Sequence, residues 1–272
     1  MESVSEIPGI PLSVALPVAV LAGLVPLIGL GVVTAGARAA GLPRPLRLGA
    51  AVAAALAGWG LLLVALTVSG AVFGEVRTYT GVAAGLAWLL PSVLIAVAAR
   101  RVPALRAALG GRAGPVLLTG VETARCIGAV FLILHGRGDL PSGFALPAAW
   151  GDIAVGATAP LAAWVAWARP DDLLRPGSGW RRAFLAWQFA GLADMWMAVT
   201  LGRLHAPGAG QVFEGPPDTA AFLDLPMLLF PGYLVPFATA LHYVVLAGLL
   251  RPGRRDRPGR APGRGLGYAA AS

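Results

Sequence analysis

The sequence predicts an all-α protein, a polytopic membrane bundle of seven transmembrane helices with its N-terminus outside and its C-terminus in the cytoplasm. Three observations predict this fold. Hydrophobic residues make up 57% of the 272 residues, whereas soluble domains average about 45–50%. These residues are gathered in seven long runs, and most arginines lie in alternate gaps between the runs. The composition therefore excludes a soluble globular domain.

Each apolar run is long enough to cross a membrane. A helix rises about 1.5 Å per residue, and the hydrocarbon core of a bilayer is about 30 Å thick. The runs are Ile10–Ala35, Leu48–Phe73, Thr80–Ala99, Gly114–Leu134, Phe144–Ala168, Ala183–Leu201 and Leu225–Leu250. They predict one transmembrane domain over residues 1–250. A disordered cytoplasmic tail, rich in Arg, Pro and Gly, is predicted at 251–272.

The first and last runs have features of their own. The first follows an acidic start and is too long for a cleaved signal sequence, so we expect a retained helix. The seventh is interrupted by Pro226, Pro231 and Pro236, which predicts one kinked helix or a short interfacial piece followed by a span. The connection before it, from Gly202 to about Asp224, is expected to be a polar surface loop or a lid.

The distribution of arginine predicts the topology. The chain has 21 arginines and no lysine. Seventeen lie in the tail or in the gaps after runs one, three and five, namely Arg38, Arg44, Arg47, Arg100, Arg101, Arg106, Arg112, Arg169, Arg175, Arg181, Arg182, Arg251, Arg254, Arg255, Arg257, Arg260 and Arg264. The other gaps hold only Arg77, Arg137 and Arg203. Since arginine-rich loops stay in the cytoplasm, the tail and the odd-numbered gaps are predicted to be cytoplasmic.

The net charge of +8 follows from the same pattern. In cytoplasmic loops it predicts attraction to anionic membrane lipid, about 1 kcal/mol per residue near the surface, and no nucleic-acid partner. The abundance of Ala, Gly, Pro and Arg and the absence of Lys are typical of a high-GC bacterial genome. We therefore expect a multi-pass protein of the bacterial inner membrane.

Five ionisable residues lie inside the predicted spans: Glu122, Arg125, Asp152, Asp194 and His242. A charged side chain near the bilayer centre costs about 2.5–3.5 kcal/mol on insertion scales, so such residues usually face the bundle interior, where they pair or serve a function. The two aspartates lie at matching depth, roughly 10–12 Å below the outer surface. Arg125 lies near the midplane. We expect an outward-opening polar pocket with Arg125 at its floor.

Roles can be assigned to these residues by their chemistry. Buried carboxyl groups can deliver protons, so the candidate catalytic residues are Asp152, Asp194 and Glu122. The candidate substrate-binding residues are Arg125, Trp187 and His242. Trp187 shares a helix face with Asp194 and can stabilise cationic charge through its ring.

A purely structural role stays open for each of these side chains. Glu122 and Arg125 are three residues apart and can pair on one helix face. Asp152 can bind Arg125 or a neighbouring backbone group, and the same structural role is open for Asp194. His242 on an apolar face can be a hydrogen-bonded packing residue.

The sequence lacks the motifs of the common soluble activities. It has no P-loop, no HExxH, no Gly-x-Ser-x-Gly and no acidic diphosphate-binding motif. Cys126 is the only cysteine, which excludes an intrachain disulfide. No cofactor and no metal site are predicted, because the three histidines lie at different depths. A single metal held by mixed His and carboxylate ligands stays open.

One part of the chain resembles a known group of proteins. Glu122–Gly128, Gly138–Asp152, Ala193-Asp194 and Leu241-His242 are similar to segments of small, uncharacterised bacterial integral membrane proteins. The resemblance covers roughly Glu122 to Leu250. It implies that these polar positions belong to one pattern, and it carries over no activity.

Three functions are compatible with these features. The first is a membrane-embedded enzyme that acts on a lipid-soluble, isoprenoid-like substrate by proton transfer. The second is a small transporter or proton-coupled permease of a small molecule, which would need a homodimer. The third is a non-catalytic partner subunit, in which buried charges only specify helix packing.

Overall fold

The computed structural model describes residues 9–70, 81–208 and 210–250, with the side chains of 81–87 left out. Within these ranges the regular elements are all helical. The acidic start, Arg77 and the tail at 251–272 lie outside the described residues, and so do the second run's last residues and the third run's first. The all-helical prediction is confirmed for the part of the chain that the structure describes.

Ten α-helices follow one another along the described part of the chain. They are α1 (Leu12–Ala39), α2 (Pro45–Val68), α3 (Gly81–Arg101), α4 (Pro103–Gly110), α5 (Ala113–Val121), α6 (Val130–Gly136), α7 (Ser142–Ala168), α8 (Pro170–Leu174), α9 (Gly179–Leu204) and α10 (Val235–Leu249). A 3-10 helix, Glu122–Ala129, joins α5 to α6, and a π-helical turn, Phe230–Leu234, leads into α10. A second 3-10 turn covers Ala220–Leu223.

Five helical segments of the described chain are long and apolar enough to cross a membrane: Leu12–Ala39, Pro45–Val68, Ala113–Gly136, Gly179–Leu204 and Phe230–Leu249. A sixth is reached if Trp88–Arg101 and Pro103–Gly110 form one bent span. The 27 residues of α7 rise about 40 Å, but Asp152 and several Gly, Pro and Trp residues make that helix less apolar. The protein is thus a multi-pass membrane protein by the length and composition of its helices.

The chain turns through 93° between α3 and α4. Pro103 has no amide hydrogen to continue the helix and favours an extended residue before it. Val102 accordingly has φ −78° and ψ 113°. Pro103 then occupies the first turn of α4, where a missing N–H costs nothing. The third apolar run therefore ends in a sharp corner.

The seventh apolar run becomes helical later than its sequence suggests. Leu225 to Leu228 form turns, and the π-helical turn over Phe230–Leu234 leads into α10. Pro231 and Pro236 lie at this start, where amide hydrogens have no partner within the helix. Of the two expectations for this run, a short non-helical piece followed by a span is the closer description.

The two ends of the bundle differ in composition. At one end, which we call the loop end, the start of α7 meets the end of α9 and the connection between α9 and α10. Four rings pack there with centroids 4.7–6.3 Å apart: Phe131, Phe144, Phe222 and Phe230. At the opposite end, which we call the arginine end, Arg181 donates hydrogen bonds to the carbonyls of Leu173 and Leu249.

Candidate functional site

Arg125 is the centre of a buried charged cluster. It lies in the 3-10 helix and is 5% exposed. Its Nε donates to Asp152 Oδ1 of α7 at 2.8 Å, and its Nη2 donates to Asp194 Oδ2 of α9. One guanidinium thus holds carboxyl groups from two other helices, in an environment where removing one partner would leave a charge unpaired.

The third nitrogen of Arg125 reaches two further groups. Nη1 donates to the carbonyl of Gly191 at 3.1 Å and lies 3.4 Å from His242 Nε2. His242 is fully buried in α10. Side chains from the 3-10 helix, α7, α9 and α10 therefore meet at one point. We call Glu122, Arg125, Asp152, Asp194 and His242 the charged cluster.

Glu122 belongs to the charged cluster but not to an ion pair with Arg125. The pair expected on one helix face is wrong, because the guanidinium points away from its own segment toward the carboxyl groups of α7 and α9. Glu122 Oε2 lies 3.6 Å from His242 Nε2 instead. Among the described residues, neither Glu122 oxygen has a hydrogen-bond partner.

Two polar residues that the sequence analysis missed orient His242. Gln188 Oε1 lies 2.6 Å from His242 Nδ1, and Gln188 Nε2 donates to Thr119 Oγ1 at 2.9 Å. Because an amide oxygen only accepts, Nδ1 carries the imidazole hydrogen and Nε2 faces Glu122 as an acceptor. Gln188 lies three residues before Gly191, and this helical spacing was a signal in the sequence.

Four glycines make room for the charged cluster: Gly128, Gly151, Gly156 and Gly191. A Cβ atom at Gly191 would lie 2.6 Å from His242 Cε1 and 3.3 Å from Arg125 Nη1. A Cβ at Gly151 would overlap the carboxyl group of Asp194, and one at Gly128 would overlap Asp152. Small residues that let backbones approach are typical of helix contacts in membranes, and here they admit polar side chains.

The largest cavity described lies at the loop end and has a volume of about 280 Å³. Five aromatic residues line it: Trp88, Phe131, Phe144, Phe222 and Phe230. Asp152 is the member of the charged cluster that lines it. Ala206 and Thr219 come from the connection before the seventh run, so part of that connection lines the cavity.

A smaller cavity of about 50 Å³ lies on another side of the charged cluster. Glu122, Arg125 and Asp152 line it together with aliphatic residues of α1 and α10. Arg125 therefore reaches the small cavity, whereas the expectation placed it at the floor of an outward pocket. The pocket was also expected to be polar, but the larger cavity is mainly apolar because the charged groups bind one another.

Trp187 lies apart from the cavities. Its ring centroid is 5.8 Å from that of His242, and its Nε1 donates to Thr158 Oγ1 at 2.9 Å. Trp88 of α3, in contrast, lines the large cavity. Its Nε1 donates to Thr239 Oγ1 at 3.1 Å, which ties α3 to α10.

The described residues contain no group of three or more His, Cys, Asp and Glu side chains that could hold a metal ion. The charged cluster offers carboxyl, imidazole and guanidinium groups, and its Asp152 faces an apolar cavity with aromatic side chains. Such a site can bind an apolar molecule and can move a proton at its edge.

The fold and this site characterise a membrane protein with a buried charged cluster. Residues 81–250 match a family model described as a domain of unknown function (DUF8737). The match covers more than half of the chain, so the protein belongs to that family. The matched range includes every residue of the charged cluster and leaves out α1 and α2. No curated protein and no solved structure matches the chain.

Proposed function

We propose that this protein is a membrane-embedded enzyme that binds a lipid-soluble, isoprenoid-like substrate in the large cavity and moves a proton at Asp152. One observation carries the proposal. An apolar cavity of about 280 Å³, walled by five aromatic side chains, reaches one buried carboxyl group. Ligand sites typically combine such apolar walls with few polar groups, and a carboxyl group at the wall can act as acid or base.

The geometry suggests different roles for the acidic residues. Asp152 faces the substrate space, so it is the proposed catalytic group. Arg125 and Asp194 are proposed as positioning residues, because they hold the Asp152 carboxyl through an ion pair and through a second carboxylate on the same guanidinium. Trp88, which lines that space, takes the place of Trp187 as the aromatic group proposed to stabilise a developing positive charge.

Filling the cavity tests substrate binding. Ala198 lines the large cavity, whereas Ala193 is exposed on the same helix. Each variant would be purified in mild detergent and its bound lipids identified by mass spectrometry. We expect Ala198→Phe to lose an apolar molecule that the wild type and Ala193→Phe retain. Equal retention by all three proteins would contradict the proposal.

Isotope exchange tests the proton transfer. In D₂O, the group that protonates a carbon atom of the bound lipid delivers a deuteron. When a protium is then removed from the same carbon, the deuterium stays on the lipid. We expect the wild type to deuterate the co-purified lipid and Asp152→Asn to bind it without deuteration. Asp139→Asn is the matched control, since Asp139 pairs with Arg137 outside the charged cluster. Deuteration by Asp152→Asn would remove Asp152 from the chemistry.

A proton-coupled transporter is the second candidate, and one observation favours it. Asp152 lines both cavities, so the charged cluster lies where two spaces come together. In a transporter, opening of the Arg125–Asp152 pair would connect them. Flux of the co-purified molecule into proteoliposomes, abolished by Arg125→Gln, is the expected result. Flux that is unchanged by this substitution would argue against coupling through the cluster.

The proposal places seven spans in a bacterial inner membrane, with residues 1–250 as the membrane domain. The spans in addition to the five apolar segments would be α3 with its corner and α7. The arginine end would face the cytoplasm, because Arg112, Arg169, Arg175 and Arg181 lie there. A reporter that is active only in the cytoplasm, fused after Leu250, should be active, and one inserted at Gln211 should be silent. The reverse pattern would overturn the orientation.

A further inference from the structure

The carboxyl group of Glu122 differs from the other carboxyl groups of the charged cluster. Asp152 and Asp194 each accept a hydrogen bond from Arg125. Glu122 is 2% exposed, and neither of its oxygens has a hydrogen-bond partner within the described chain. A buried polar group without a partner is costly, so this carboxyl group requires a further ligand.

The small cavity offers room for that ligand. Its volume of about 50 Å³ exceeds the roughly 10–15 Å³ that one water molecule requires. Glu122, Arg125 and Asp152 are among the residues that line it, together with apolar residues such as Leu21, Val25 and Ile28 of α1. Water is retained in a cavity when it finds two to four polar partners. The Glu122 oxygens are buried, so its carboxyl group has to turn toward the cavity to become one of those partners.

His242 places an acceptor nitrogen on the other side of Glu122. Gln188 accepts the hydrogen of Nδ1 at 2.6 Å, which leaves the lone pair of Nε2 free to accept. Arg125 Nη1 lies 3.4 Å from Nε2, and Glu122 Oε2 lies 3.6 Å from it. That distance is too long for a hydrogen bond between the two groups. A small rotation of the Glu122 side chain would close it, and a proton between the two atoms would then bind both.

The charges around Glu122 favour a bound proton. Among the residues that the structure describes, the cation beside it is Arg125 on its own segment, while Asp152 on α7 and Asp194 on α9 are further carboxyl groups. His242 faces it from α10, and α1 contributes only aliphatic side chains. Three carboxyl groups and one guanidinium together carry an excess of negative charge when all are ionised. A proton bound to one carboxyl group reduces that excess.

We propose that Glu122 and His242 form a proton-binding site that is loaded through water in the small cavity, separate from the substrate space. A proton that enters from bulk solvent is relayed through that water, which is left as neutral water, and binds the carboxylate at Glu122 Oε2. It then passes to His242 Nε2, leaving a carboxylate on Glu122 and an imidazolium whose Nδ1–H stays on Gln188. The imidazolium lies beside Arg125 Nη1 at 3.4 Å and weakens its hold on Asp152. Only this last step rests on the proposed function.

Infrared spectroscopy of the substrate-free protein in lipid nanodiscs tests the site. A protonated carboxyl group has a carbonyl band that its carboxylate lacks. We expect a pH-dependent carbonyl band that Glu122→Gln loses. Glu214→Gln is the matched control, because Glu214 is an exposed glutamate in the connection after α9, and it should keep the band. A band that persists in Glu122→Gln, or that is absent from the wild type, overturns the proposal.

A second variant keeps the test independent of whether Glu122→Gln accumulates. Gln188→Leu removes the acceptor of His242 Nδ1–H, so the titration midpoint of the same band should shift. An unchanged midpoint overturns the coupling between Glu122 and His242. Because no substrate is present in these measurements, a negative result leaves the cavity-filling and deuteration tests of the enzyme proposal unaffected.

Discussion

The α1–α2 hairpin and the helices around the charged cluster contact different surroundings. In α2 only Gly49 and Leu56 are buried among 24 residues, although its sequence is almost purely apolar. In α10, ten of 15 residues are buried, and His242 is among them. Lipid is as apolar as leucine, so an apolar face gains nothing by turning inward. The comparison teaches that hydropathy alone does not decide burial in this protein, because both helices are apolar and the buried one carries Thr239 and His242.

The largest effect is expected where the charged cluster loses its cation. Arg125→Met leaves Asp152 and Asp194 buried without their partner, and we expect a loss of about 3–5 kcal/mol in the free energy of unfolding. Denaturant unfolding in detergent micelles measures it. The control is Arg38→Met at the exposed end of α1, which should stay within about 0.5 kcal/mol. An equal free energy of unfolding in the two variants would show that the charged cluster does not stabilise the protein more than an exposed arginine does.

Replacing the whole ion network separates structural from chemical roles. Arg125→Met combined with Asp152→Leu and Asp194→Leu should recover most of the lost stability, because apolar replacements of buried ion networks are often neutral. Deuteration of the bound lipid should stay absent. If the cellular function survives in this variant, the hypothesis of a non-catalytic partner subunit would be correct.

A smaller effect is expected from added methyl groups. Gly191→Ala brings a Cβ to within 2.7 Å of His242 Nε2, so we expect a loss of about 1–3 kcal/mol through displaced side chains. Gly58→Ala in α2 meets nothing within 4 Å and should gain up to about 1 kcal/mol from helix propensity. Thermal unfolding of both variants in the same detergent measures the difference. A destabilised Gly58→Ala would show that α2 has a protein neighbour.

The contact between the two regions should contribute about 1 kcal/mol. Tyr233 Oη donates to the carbonyl of Leu56 at 2.9 Å, and its ring packs on Trp59 at 4.7 Å. Tyr233→Phe removes the hydrogen bond and keeps the ring. Hydrogen exchange should rise in α2 and remain unchanged around His242, whereas Tyr243→Phe in α10 should not affect α2. Faster exchange throughout the bundle would mean that the regions unfold together.

The smallest effect is expected on the lipid-facing side of the hairpin. Leu61 is 70% exposed, so Leu61→Ala should change the free energy of unfolding by less than about 0.5 kcal/mol. Leu56→Ala, at the buried leucine of the same helix, is the control and should lose more. Unfolding in detergent again measures both. A large loss at Leu61 would indicate a second copy of the chain at that face.

Much of the fold could be predicted from the apolar runs. The run Ile10–Ala35 corresponds to α1, and Phe144–Ala168 corresponds to α7 with a difference of two residues at its start. The corner at Val102 was not predicted, because a single proline after an apolar run does not reveal the direction of the next helix. Segments near Arg77 lie outside the described residues, so the seven-span count stays a prediction.

The site could be predicted in part. The ionisable residues were recognisable because charge is rare in the spans, and the structure brings Asp152 and Asp194 to Arg125. The roles given to them and to Trp187 stay predictions. The neighbour of Glu122 could not be predicted from spacing along one helix, because Arg125 binds the carboxyl groups of Asp152 and Asp194 on other helices instead. Neutral groups such as Gln188 and Trp88 give weak signals, since amides and aromatic rings also occur at lipid interfaces.

The corner after α3 affects the route by which a bound molecule could leave the large cavity. It lays α4 across the arginine end, where α4 contacts α1, α5 and α10, and Gly36 leaves space for the carbonyl of Ala108. If a molecule from the large cavity left the protein at the arginine end, α4 would have to move first. If it entered and left at the loop end, α4 could keep its position.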